Sequence, residues 1–466
     1  MPAPSTGLSR VTVSSPQRRV DVALPHGVPL AELLPEILRH AGEGLADDGE
    51  QHGGWLLRRA DGTALSPASG LAAQEVRDGA VLNLVPARAS WPELEYDDVV
   101  EAIASGARRH GVGWSPRASR ITGVVGAGVI LALGLIAVLR SGPAWTGPGL
   151  AALAVAAVLT IVGVLAARAY GDAAVGAALA TYALPYAFVG GLLVLAPDRP
   201  LTGMPAGDLS SCLLTGAVAL LLCSVVAAVG VAYALRVFVA GGSAGALGGA
   251  AVLLSFATAG SGAAAVLLTL LVTGVAAIPL LAIRFGKLPL PVLTLPTDLA
   301  GSVESLEPGP DRARVAAAVA RTDEMLTGLL TGLAVLAGAA APVLAGAGLA
   351  GPLLVGVAAT AFLLRARLFV TVRQRLPLLA AGVAGFAVLG LGRALTGAGV
   401  GNLGIALGAA AAGLVVALAG ARYATRAPSP YLGRAADVLD ALCVVATVPV
   451  ACAVLGLYSM VQQIGG

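Results

Sequence analysis

Charge is scarce in this sequence. Only 12% of the 466 residues are Asp, Glu, Lys or Arg, whereas a soluble domain usually carries about 25% charged residues. So few charges cannot cover a water-facing surface of this size, which excludes an ordinary soluble globular protein. The chain is instead 57% hydrophobic with a mean hydropathy of +0.86, so we expect most of its surface to face lipid.

Residues that carry chemistry are also scarce. Lysine occurs once, at Lys287, and the net charge of +3 is too small to indicate a nucleic-acid partner. No HExxH, GxSxG, Walker or GxGxxG motif stands in a supporting context. The cysteines show no metal-binding spacing and are interpreted as small core residues; they are Cys212, Cys223, Cys443 and Cys452. We therefore predict no catalytic, cofactor-binding or metal-binding residues and no enzymatic activity.

Residues 1–90 have the periodicity of a soluble domain. Two alternating segments predict a hairpin, an apolar stripe predicts a helix, and two more strands follow turns. These elements are the strands Leu8–Val13 and Arg18–Leu24, the helix Pro29–His40, and the strands Trp55–Arg59 and Ala80–Val85. Their order predicts an α+β ubiquitin-like (β-grasp) domain. No histidine has a nucleophile or ligand partner at informative spacing, so we interpret the domain as a binding module.

The rest of the chain is dominated by apolar runs. Most are close to the length that crosses a bilayer, about 20 helical residues, and some are shorter. The predicted spans are 121–139, 149–167, 174–196, 212–234, 238–258, 263–283, 325–345, 349–364, 376–392, 403–420 and 436–460. We predict a cytosolic domain at 1–90, a tether at 91–120, spans 1–6 within 121–284, a cytoplasmic loop at 285–324, and spans 7–11 within 325–466. The fold class is an α-helical polytopic membrane protein with about eleven transmembrane helices.

The loop charges predict the orientation of the chain. No apolar segment of a secretory signal occurs in the first ten residues. With the N-terminus inside, the cytoplasmic flanks of the spans hold 18 basic residues and the opposite side holds three, Arg140, Arg199 and Arg393. Cytoplasmic loops normally carry this excess of Lys and Arg. We therefore expect a cytoplasmic N-terminus and a C-terminus outside.

Charges within the spans are few. Asp437 and Asp440 fall at the predicted cytoplasmic start of the last span, close to Arg434, and Arg393 can reach the membrane surface. A proton or ion relay usually needs ionisable residues near the middle of the membrane. This favours a structural role, although a secondary transporter with a regulatory cytosolic domain stays open as the alternative.

Two glycine patterns predict close helix packing. Glycines four residues apart let helix backbones approach each other in a membrane. Gly241, Gly245 and Gly249 form two overlapping steps of this kind, and Gly404 with Gly408 forms another. Spacing does not tell whether the facing helix belongs to the same chain or to a second copy.

Several strings together resemble the EccD family, the integral membrane component of actinobacterial type VII (ESX) secretion systems. They are RVTVSSPQRRVDVALPHGVPLAELLPEILRHAGE, HGGWLLRR, VRDGAVLNLVP, YDDVVEAIA, LPYAFVGG, RQRLPLLAAG and SPYLGRAADVLDALCVVATVPVACAVLGLY. They occur in the expected order over nearly the whole chain.

The resemblance implies a structural subunit of the bacterial inner (cell) membrane. It would form a homodimer, contact membrane lipids, and assemble with EccB, the EccC ATPase and EccE. The resemblance carries no catalytic residue onto this chain.

Overall fold

The computed structural model describes residues 7–15, 18–42, 44, 45, 47, 49, 53–87, 115–200, 203–286, 312–397, 400–425 and 429–464. The chain divides into two compact units, Met1–Trp114 and Ser115–Gly466. Most of the predicted tether and of the predicted cytoplasmic loop lies outside the described residues, and the domain boundaries stay predictions.

The first unit, which we call the head, contains one four-stranded sheet. Strands β1 (Leu8–Ser14) and β2 (Arg19–Pro25) form the hairpin, helix α1 (Leu30–Ala41) follows, and strands β3 (Trp55–Arg59) and β4 (Ala80–Pro86) complete the sheet. The strand order is β2-β1-β4-β3, with β1 and β4 parallel at the centre. The predicted ubiquitin-like fold class is confirmed.

The head has its own hydrophobic core. Val13, Leu71 and Leu82 have no exposed surface, because alternate residues of the central strands point to the same face of the sheet. Trp55 is also buried, and its indole Nε1 donates to the Leu45 carbonyl at 2.7 Å. This bond lets a large aromatic ring enter the core without leaving its N–H unpaired.

The second unit is a helical bundle. Its helices are α2 (Pro116–Arg140), α3 (Thr146–Arg168), α4 (Ala173–Val194), α5 (Ala206–Val231), α6 (Leu235–Ser255), α7 (Gly260–Gly274), α8 (Ile278–Gly286), α9 (Arg312–Ala345), α10 (Ala350–Arg365), α11 (Val372–Thr396), α12 (Val400–Thr425), α13 (Pro430–Val454) and α14 (Leu457–Ile464). Within the described residues, eleven helical segments are long and apolar enough to cross a membrane, as predicted. One of them, Gly260–Gly286, combines α7 and α8.

The sixth span is broken in its C-terminal half. A 3₁₀ turn at Val275–Ala277 separates α7 from α8. Pro279 follows this turn, and because proline has no N–H it cannot bond the carbonyl of Val275 four residues earlier. Three other prolines of the bundle, Pro185, Pro342 and Pro449, lie inside uninterrupted helices.

The last span begins earlier than the sequence predicts. The charged residues Arg434, Asp437 and Asp440 led to a predicted start at residue 436, whereas α13 begins at Pro430. Ser429 caps this helix, because its side chain accepts a hydrogen bond from the Leu432 amide. The three charged residues are therefore inside the helix, and two of them, Asp437 and Asp440, bond arginine side chains outside α13.

Helix α9 lies at the centre of the bundle. It packs against α6, α7, α8, α10 and α11, and half of its most apolar stretch is buried. By contrast, the corresponding stretches of α2 and α12 have no buried residue. The bundle therefore has a packed centre and two helices whose most apolar stretches contain no buried residue.

Candidate functional site: helix contacts and ion pairs

The first glycine pattern is occupied by helices of the same chain. A Cβ built on Gly245 of α6 would lie 2.8 Å from the Ala217 carbonyl oxygen of α5. One on Gly241 would clash with the Ser224 hydroxyl of α5 and lie 3.2 Å from Leu184 of α4. One on Gly249 would lie 3.6 Å from the Ala217 side chain. Gly241 and Gly245 thus both permit the close approach of α6 to α5, and Gly249 lies on the same face.

The second glycine pattern faces open space. A Cβ built on Gly404 or Gly408 of α12 would meet no atom of the described residues within 4 Å. The surrounding leucines Leu403 and Leu407 are also exposed. Within the part of the chain that the structure describes, nothing packs on this face.

Sequence reasoning missed a third glycine pair. Cβ atoms built on Gly328 and Gly332 of α9 would lie 2.6 Å from the Arg236 carbonyl oxygen and 2.7 Å from that of Ala240 on α6. The two glycines are four residues apart, so the signal was present in the sequence. The chain has 62 glycines, so other glycine pairs share this spacing. Spacing alone therefore could not identify Gly328 and Gly332 as a packing contact.

Helices α6 and α9 are also joined by an ion pair. Arg236 Nη1 donates to Glu324 Oε1 at 2.9 Å, and the Arg236 amide donates to Glu324 Oε2 at 3.1 Å. The carboxylate therefore lies at the first turn of α6, where it pairs with the side chain and with an amide that has no partner in its own helix.

A second ion pair links three helices. Arg365, at the end of α10, is buried; its Nε donates to Asp440 Oδ1 of α13 at 3.1 Å, and its Nη1 donates to the Val272 carbonyl of α7. Val272 lies just before the break in the sixth span. The guanidinium thus bonds the C-terminal end of a half-helix, where the helix dipole favours a cation.

The pair gives Asp440 a partner that the sequence did not indicate. The sequence predicts this residue at the cytoplasmic start of the last span, and it lies ten residues after the first residue of α13 and fourteen before the last. Its charge is neutralised by Arg365. The neighbouring Asp437 bonds Arg367, so the partners of both carboxylates come from α10 and the turn after it rather than from Arg434.

Two further polar contacts lie at the same end of the bundle. Gln374 of α11 donates to Asp323 of α9 at 2.6 Å, and Arg120 of α2 bonds Asp172. Asp172 also caps α4 by accepting from the Val175 amide at 3.0 Å. These contacts join neighbouring helices.

The described residues contain no group of three or more His, Cys, Asp or Glu that could hold a metal ion. The four cysteines are free thiols within helices. In the head, His26 Nε2 lies 2.7 Å from the Ser9 hydroxyl, a contact between two neighbouring strands. The contacts described above thus join helices or strands of this chain to one another.

Comparison with known families and proteins agrees with this geometry. Residues 119–464 match the family of the EccD-like transmembrane domain, and residues 8–84 match the family of protein YukD of the WXG100 protein secretion system. The ESX-4 secretion system protein eccD4 of Mycobacterium tuberculosis is 33% identical over 203 residues, 42% of this chain and 43% of that protein. The alignment thus spans less than half the length of this relative.

Solved structures share the fold. Protomer 1 of the ESX-3 core complex superposes with a TM-score of 0.58 at 20% identity, covering 97% of this chain and all of that chain. A chain of the MycP5-free ESX-5 inner membrane complex gives a TM-score of 0.55 at 19% identity, covering 91% of this chain and all of that chain. Because the family match covers nearly all of the helical bundle, and the predicted resemblance is confirmed, the chain belongs to the EccD family.

Proposed function

We propose that this chain is a structural membrane subunit of a type VII (ESX) secretion complex. The observation that carries the proposal is the match of the bundle, residues 119–464, to the EccD-like transmembrane domain. The bundle's charges support a structural role, because Arg236 and Arg365 are paired with carboxylates of other helices. Such pairs hold helices together in a membrane.

The head is the proposed docking module. Leu8 and Val81 are exposed apolar side chains of its sheet. Thr12 pairs with Val81, and Leu8 is four residues before Thr12 on the same strand, so all three lie on one face. An apolar face on a small soluble domain suits a protein partner. The proposed partners are the other core subunits, EccB, the EccC ATPase and EccE.

Helix α12 is the proposed homodimer contact. Its face at Gly404 and Gly408 meets no other part of the described chain, and small residues at this spacing let a second helix approach closely. We place the N-terminus in the cytoplasm and the C-terminus outside, since the excess of basic residues lies on the flanks that share a side with the head.

Affinity purification tests the proposed assembly. A tagged full-length chain, extracted from its native membrane in mild detergent, should recover an ATPase and further membrane subunits in near-stoichiometric amounts. An unrelated multi-pass protein with the same tag, expressed to the same level, serves as the control.

Recovery of the chain alone as a monomer would contradict the proposal. Ion-dependent solute uptake by the purified chain in liposomes would favour the alternative, a secondary transporter with a regulatory domain.

A further inference from the structure

An apolar groove runs along the bundle between α6, the broken span α7–α8 and α9. It encloses about 310 Å³. Its lining is apolar except for Ser243, and the Ser243 hydroxyl donates to the Ala240 carbonyl of its own helix at 3.1 Å. The groove therefore offers no polar group to a soluble ligand.

The groove opens on the outer surface of the bundle. Leu247, Leu270 and Leu281 line it and remain 46%, 62% and 41% exposed. Ala250, Gly274 and Ala277 also line the groove. Because these residues are small, they leave open space between the larger leucine side chains. In a membrane this opening faces the acyl chains of the bilayer.

Positive charge lies at one end of the groove. Arg284 is one helical turn beyond Leu281 on α8, and it is exposed. Arg236 begins α6 at the same end, but Glu324 already neutralises it. Because Arg284 is exposed, its guanidinium can reach an anion at the membrane surface.

We propose that this groove binds one acyl chain of a bilayer phospholipid whose phosphate is held by Arg284. The apolar length suits a hydrocarbon chain, and the cation at its end suits the headgroup, as in other basic sites between transmembrane helices.

Native mass spectrometry of the purified full-length chain tests the site. The detergent-solubilised protein is titrated with phosphatidylglycerol or phosphatidylcholine, and the first bound lipid is quantified. Phosphatidylglycerol should bind about fivefold more tightly, since one Arg near an anionic headgroup contributes about 1 kcal/mol.

Two variants separate the two parts of the site. Ala250→Phe fills the groove and should weaken both lipids at least about tenfold, because each methylene kept out forfeits about 0.8 kcal/mol. Arg284→Ala should abolish the preference for phosphatidylglycerol, because it weakens this anionic lipid more than zwitterionic phosphatidylcholine, whose choline already offsets the charge of its phosphate. Ala132→Phe on the exposed helix α2 and Arg422→Ala at the end of α12 are the matched controls and should bind both lipids as the unmodified chain does.

A photo-cross-linking residue at Leu270, in the intact membrane, provides a readout that does not depend on those variants. We expect a lipid adduct. A cross-link to another protein chain would overturn the proposal, as would unchanged lipid binding by a folded Ala250→Phe protein. An unchanged preference for phosphatidylglycerol in Arg284→Ala would overturn the headgroup assignment.

Discussion

At the scale of single residues, the contacts of Arg365 were the least accessible to sequence reasoning. The sequence indicates only that a basic residue ends an apolar run. Its partners Asp440 and Val272 are 75 and 93 residues away, and no local pattern brings α7, α10 and α13 together. A buried arginine that joins three helices is therefore recognised only once the bundle has been assembled.

Replacing Arg365 should strongly destabilise the bundle. In Arg365→Gln the carboxylate of Asp440, which is 22% exposed, loses its counter-ion; breaking a buried pair by removing one partner typically costs about 3–5 kcal/mol. The free energy of unfolding of the purified chain, measured by denaturant titration in detergent, checks this expectation.

The neighbouring pair supplies the matched control. Asp437 is 70% exposed, so Arg367→Gln should cost less than about 1 kcal/mol. Combining Arg365→Leu with Asp440→Leu should recover much of the stability lost in Arg365→Gln, because no charge is then left unpaired. If Arg365→Gln and Arg367→Gln lowered the free energy of unfolding by the same amount, burial would not explain the stability that the Arg365–Asp440 pair contributes.

At the scale of elements, most helices could be predicted and their contacts could not. Length and hydropathy identify a membrane helix because the bilayer imposes both. Which face of a helix packs depends on the neighbours, so the pattern at Gly404 and Gly408 and the pair at Gly328 and Gly332 look alike in sequence. The break after α7 was indicated only by Pro279. Prolines also occur in several helices that are not broken, so this signal alone did not predict the break.

The two glycine faces should respond differently to the same substitution. Gly328→Leu drives a side chain into the α6 backbone near Arg236 and should lower the stability of the monomer by about 1–3 kcal/mol. Gly408→Leu meets open space in the chain and should leave that stability unchanged. Unfolding of the isolated monomer in detergent measures both effects.

The same pair of variants tests the proposed dimer contact. Gly408→Leu should reduce the dimer fraction, measured by light scattering coupled to gel filtration, while the monomer stays folded. A normal dimer fraction in Gly408→Leu would exclude this face of α12 as the contact between copies.

At the scale of the whole molecule, the sequence correctly separated a small α+β head from a helical bundle. Charge and periodicity change abruptly near residue 90, because a soluble core and a membrane core need different surfaces. The packed centre around α9 was not predicted. All eleven spans have similar composition, so their positions in the bundle depend on packing between distant segments.

Removing the head should leave membrane insertion intact and abolish secretion. A chain that begins at Ser115, the cap of α2, keeps every helix of the second unit and should still insert in the membrane. Because the proposed docking face is lost, secretion by cells that carry only this chain should stop, as measured by substrate in the culture medium.

Leu8→Asp in the full-length chain is the milder comparison, since it alters the exposed face without deleting the head. It should reduce partner recovery while the head stays folded. Normal secretion by the headless chain would refute docking as the function of the head.

The length and continuity of helix α9 affect how the bundle transmits force. Its 34 residues extend about 51 Å at 1.5 Å per residue, more than the roughly 40–45 Å of a bilayer with its headgroups. The helix is continuous from Arg312 to Ala345 and contacts the helices around it along its length. It is therefore a stiff element: a force applied at Arg312, which lies within the predicted cytoplasmic loop, would reach the centre of the bundle through one continuous helix.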